Sequence, residues 1–95
     1  MTSKISLDSR VQIQKDVLFQ ELQGESVLLN LTTGVYLGLD PVSTRIWQLL
    51  QEDGNLHRIV EVMLQEYDVK EEKLAADLLN LVGQMENQGL LAIVQ

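Results

Sequence analysis

The sequence predicts an α+β domain, three antiparallel strands followed by three helices, and three observations carry that prediction. Up to residue 39 the apolar residues alternate at a period of two; beyond Pro41 they return at spacings of three and four. Turn residues fall between the alternating runs, at Gln23-Gly24-Glu25 and Thr32-Thr33-Gly34. Asp40-Pro41 then separates the two grammars, since proline gives a sheet no ladder donor but suits the first turn of a helix.

Taken in order, residues 1–10 are polar, carry no sustained period and are expected to form a flexible N-terminal arm. Residues 11–95 are expected to form a single domain. Val11 and Ile13, then Val17 and Phe19, alternate with Gln12, Gln14, Leu18 and Gln20, which predicts one long strand or two short ones. Val27, Leu29 and Leu31 alternate with Leu28 and Asn30 in the next strand, and Gly34 is placed where the following turn wants a positive φ. Val35, Leu37 and Leu39 alternate with Tyr36, Gly38 and Asp40 in the last strand of the meander. Gly38 leaves a place there where another backbone can come close.

Asp40 is the expected N-cap of a helix over residues 41–51, with Val42, Ile46, Leu49 and Leu50 on one face and Trp47, read as core, at its flank. Asp53-Gly54 breaks it, and Asn55 caps a second helix whose stripe is Leu56, Ile59, Val60, Met63, Leu64 and Tyr67. Asp68 and Glu71 have the spacing of an acidic capping box ahead of the longest helix, residues 70–88. Its stripe of Leu74, Leu78, Leu81 and Met85 is widened by Ala75, Leu79 and Val82, more apolar face than packing on one small layer requires. Gly89 is the expected C-terminal cap, and Leu90 to Val94 form an apolar tail that must tuck against the rest.

Composition removes several classes of function. Ninety-five residues allow one modest core and no roomy buried active site. Fourteen acidic against seven basic residues give a net charge of −7, which opposes binding to nucleic acid or to an anionic membrane. The absence of cysteine excludes disulfides and thiolate chemistry and fits a reducing cytoplasm. Neither a signal sequence nor a run near the ~20 apolar residues of a membrane span is present. His57 is the lone histidine, Ser43 and Thr44 have no local base, and Glu71-Glu72 suits a helix's first turn better than an acid/base pair. No enzymatic activity, metal or cofactor is expected.

Three strands and three helices with a helix-turn-helix middle make a winged helix-turn-helix type of domain. Its third helix, which would read DNA, carries Lys70 and Lys73 but also Glu71, Glu72, Asp77 and Glu86, so the fold is expected to recognise protein. The strand over residues 35–39 is read as a sheet edge that accepts a partner peptide, with backbone pairing along Val35, Tyr36, Leu37 and Gly38. Leu74, Leu78 and Leu81 are the candidate pocket lining on the opposite wall, and Lys73 a candidate on its rim. Each leucine has core as its plain alternative, and Tyr36 either caps the core or faces the peptide.

The ordered run Val27-Leu28-Leu29-Asn30-Leu31, Gly34 to Asp40, Arg45-Ile46-Trp47-Gln48-Leu49-Leu50, Asp53-Gly54, Tyr67, Leu74, Asp77-Leu78 and Gly89-Leu90-Leu91 resembles the PqqD-like proteins. These are recognition elements of ribosomally made, post-translationally modified peptide (RiPP) pathways. Tyr36 to Pro41 and the Ile46-Trp47 helix look most like the stand-alone leader-binding protein of lasso peptide biosynthesis. The resemblance implies an adaptor that binds a precursor's leader as an extra strand along the third strand and against the third helix. It implies presentation of that leader to a separate leader peptidase of the cysteine-protease type, ahead of an ATP-dependent cyclase. It also places Asp77 at the family's acidic position, able to accept a hydrogen bond from the leader, where the plain alternative is a solvated charge. A PqqD-type peptide chaperone of another pathway, such as that of pyrroloquinoline quinone, and a non-catalytic assembly subunit are the other readings.

Overall fold

The computed structural model describes residues 5–94. In chain order the elements are β1 (Arg10–Ile13), β2 (Val17–Leu22), β3 (Glu25–Asn30), β4 (Tyr36–Leu39), α1 (Pro41–Glu52), α2 (Leu56–Glu66), α3 (Glu71–Asn87) and β5 (Leu91–Val94). The expected three-stranded antiparallel sheet followed by three helices is present, with strand order β2-β3-β4.

The alternating run over residues 11–20 resolves into two strands in two different sheets. β1 leaves the meander and pairs antiparallel with β5, Val11 opposite Ile93 and Ile13 opposite Leu91. The apolar tail thus tucks by giving the first strand a partner, a pairing of chain ends that no local pattern announces. Ahead of β1, Ile5 and Leu7 lie against the core and Asp8 Oδ1 meets His57 Nε2 at 2.7 Å. Residues 1–4 of the expected arm lie outside the described residues.

Turn chemistry fixes the main sheet. Gln23 and Gly24 both take positive φ, 56° and 86°, between the paired residues Leu22 and Glu25, so a two-residue loop with the twist of a hairpin joins β2 to β3. Gly34, at φ 78°, turns β3 into β4. The inward face carries Ser26, Leu28 and Asn30 from β3 and Leu37 and Leu39 from β4.

The three helices close one core with this layer: α1 packs on β3 and β4, α2 on α1 and α3, and α3 on α2 and β5. Ile46, Trp47, Leu49 and Leu50 of α1, Leu56, Ile59, Val60 and Met63 of α2, and Leu74, Leu78, Val82 and Met85 of α3 are buried with Leu28, Leu39, Leu90 and Leu91. Within the core, the Ser26 and Thr44 hydroxyls meet at 2.8 Å and join β3 to α1.

Asp40 and Asn55 cap α1 and α2, accepting from Ser43 N at 2.8 Å and Arg58 N at 3.3 Å. The capping box at Asp68 does not form. α3 starts two residues later than that box requires, with Lys70 at the N-cap and no side-chain capping bond; Glu71 and Glu72 still place negative charge at the helix's positive end. At the far end Gly89 N donates to Glu86 O and Leu90 N to Met85 O, the paired bonds of a Schellman motif around a glycine at φ 73°.

Candidate peptide-binding groove

Among the described residues β4 is an edge strand, bonded to β3 on one side only. Asn30 N donates to Val35 O at 2.8 Å, so residues 30 and 35 form a hydrogen-bonded pair. Antiparallel pairs alternate, and the register puts Leu28 opposite Leu37 and Ser26 opposite Leu39 as the next bonded pairs. Tyr36 and Gly38 therefore turn their N–H and C=O groups away from β3, toward the open edge. The opposite edge gives a cross-check: Leu31 N donates to Asp16 O, which sends the alternate β3 residues 27 and 29 to β2.

Beside the end of this edge lies a hollow of about 440 Å³. Its walls are Val42, Ser43 and Ile46 of α1, Met63, Tyr67 and Val69 at the end of α2 and beyond, and Lys73, Leu74, Asp77, Asn80, Leu81 and Gln84 of α3. Asp40 links it to β4. The floor is apolar and the α3 rim polar, a combination suited to an extended peptide that buries some side chains and leaves others wet.

Of the candidates read from the sequence, Lys73, Leu74, Asp77 and Leu81 meet in the hollow, where Leu74 is buried and Leu81 half-buried. Leu78 does not join them: it is fully buried in the core. Val35, Tyr36, Leu37 and Gly38 do not line the hollow; the chain reaches it at Asp40, just past β4. Leu37 points inward and is half-buried, whereas Tyr36, 71% exposed, lies on the outer face and does not cap the core. Lys73 Nζ and Asp77 Oδ2 pair at 3.2 Å across one turn of the rim.

Val42, Ile46, Asn80 and Gln84 were missed as groove residues. A signal was present: Lys73, Asp77, Asn80 and Gln84 follow the 4-3-4 spacing of a single helix stripe. The α1 wall is braced from outside. Arg45, next to Ile46, makes a bidentate pair with Glu66 of α2, at 2.8 and 2.7 Å. These hydrogen bonds hold the Glu66 carboxyl below the ordinary carboxylate value and the Arg45 guanidinium above its own.

Comparison with known proteins places this geometry in a family. Residues 25–91 match the family described as coenzyme PQQ synthesis protein D (PqqD), and the chain belongs to that family. The solved structure of TbiB1 in complex with the TbiA(beta) leader peptide is similar, at 38% identity over 84% of this chain and 93% of that one, with a TM-score of 0.79. A lasso peptide synthetase B1 complexed with the leader peptide shares the fold at 19% identity over 87% of this chain and 98% of that one, with a TM-score of 0.71. No curated protein matches the chain.

Proposed function

We propose that this chain is a leader-peptide-binding adaptor of lasso peptide biosynthesis. It takes up the precursor leader as a strand added to β4, with leader side chains entering the groove between α1 and α3. One observation carries this reading: the backbone groups of Tyr36 and Gly38 face an open edge that leads to an apolar hollow. The 38% identity to TbiB1, which was solved with a leader peptide, supports leader binding, and the resemblance of Tyr36 to Pro41 and the Ile46-Trp47 helix to the lasso leader-binding proteins favours that branch over a pyrroloquinoline quinone chaperone. The adaptor works without catalysis of its own, in the cytoplasm, and presents the leader to a cysteine-protease-type peptidase ahead of an ATP-dependent cyclase.

The decisive experiment is a fluorescence-anisotropy titration of a labelled leader, from the precursor encoded with this protein, against wild type and Gly38→Pro. The Gly38 N–H points away from β3, so proline removes an outward donor without breaking the β3–β4 ladder. Saturable binding by wild type that disappears in Gly38→Pro, with circular dichroism unchanged, is the expected result. A wild-type chain that leaves the leader unbound overturns the reading for that peptide.

A further inference from the structure

We propose that Asn30 is a positioning residue for the groove: its carboxamide sets the separation of β4 from α3 and thereby the affinity for an added strand. The inference rests on the strand-addition reading above. Asn30 closes β3 and is only 6% exposed. Its Nδ2 donates to Gln88 O at 3.1 Å and Gly89 O at 3.2 Å, the carbonyls just past α3. Its Oδ1 accepts from Thr32 N at 2.9 Å and Thr33 N at 3.2 Å, inside the turn that launches β4.

One side chain thus ties the turn that launches β4 to the end of α3, closing one end of the space between that edge strand and the helix wall of the groove. α3 otherwise packs mainly on α2 and β5, neither of which belongs to the three-stranded sheet. Its partner is shaped for the contact: a Cβ on Gly89 would stand 2.9 Å from Asn30 Nδ2, at a backbone φ of +73° that side chains rarely adopt. A strand inserted between two walls needs hydrogen-bond distances on one side and van der Waals distances on the other. A wall that drifts must be ordered at the moment of binding, and affinity falls accordingly.

Two substitutions break the tie from opposite sides. Asn30→Asp keeps the shape and the Oδ1 acceptor but loses the donor to α3; Gly89→Ala pushes the carboxamide away. Ser26→Ala is the control, since it removes a buried link from the same strand to α1 and leaves α3 untouched. Each is checked for folding by circular dichroism, its stability is measured by urea unfolding, and the labelled leader is titrated. Asn30→Asp and Gly89→Ala should each weaken leader binding about tenfold or more, while Ser26→Ala stays within about twofold.

Because the chain has no cysteine, spin labels at Gln20→Cys and Ala76→Cys report the distance from sheet to α3 without interference. That distance should broaden in Asn30→Asp and narrow again when leader saturates. Wild-type affinity in either folded variant, or an equal loss in Ser26→Ala, overturns the proposal. If wild type itself leaves the leader unbound, the strand-addition reading fails separately, and an unchanged spin-label distance in Asn30→Asp overturns the positioning role on its own.

Discussion

The two ends of the space between β4 and α3 are built on opposite principles. At the C-terminal end of α3, a Schellman motif and the Asn30 carboxamide satisfy the backbone and tie helix to sheet. Toward the N-terminal end α3 has no side-chain cap, Lys73 and Asp77 are exposed, and Val42 and Val69 stay about two-fifths exposed. The closed end holds distance; the open end keeps unspent apolar and polar capacity. That asymmetry suits an adaptor, which needs a rigid frame to order its guest and an unfinished surface to receive it.

The sharpest way to test this division is to cut one leucine on each side of it. Leu78→Ala removes a fully buried core side chain and should lower stability by about 2–5 kcal/mol in urea unfolding. Leu81→Ala, four residues before Met85 but half-buried in the groove, should lose less stability and show its main effect as weaker leader binding. If the two variants lose equal stability and Leu81→Ala binds normally, the groove wall is simply core and the comparison fails.

A smaller effect belongs to the rim. The Lys73–Asp77 pair is exposed and spans one helical turn, so Asp77→Asn should change stability by no more than about 0.5 kcal/mol. Leader binding separates the two readings of Asp77. A several-fold loss in the titration, with unfolding unchanged, marks it as an acceptor for the leader, whereas unchanged binding leaves it a solvated charge.

Much of this was legible because it is local. The glycines at 34 and 89, the caps at Asp40 and Asn55 and the period switch at Pro41 announce their roles within a few residues. The β1–β5 pairing was illegible for the opposite reason, since it joins residues about eighty apart and either strand alone reads as an orphan run. In the site, periodicity found the α3 stripe but could not separate Leu78, which points at the core, from Leu81, which lies about 60° away and lines the groove wall. Asn30 read as one polar alternation in a strand; two of its four side-chain hydrogen bonds, those that reach α3's end, depend on where residues 88 and 89 arrive.

The smallest effect concerns the brace behind the α1 wall. Glu66 has a depressed carboxyl pKa in the folded chain, so it binds its proton less readily there than in the unfolded chain, where the ordinary value is 4.5. Its contribution is therefore complete above that value and is lost as pH falls through the lower, folded one. Thermal melts of wild type and Glu66→Gln between pH 3 and pH 7 should show a small stability gap near neutrality that shrinks below about pH 4.5, the ordinary value. Solvent and salt screen so exposed a pair, and high salt should shrink the gap as well. Leader affinity at neutral pH should stay nearly unchanged in Glu66→Gln, because Ile46 is held mainly by its own burial. A large loss of affinity would show instead that the groove's open end is also held by a tie, and the contrast between the two ends would collapse.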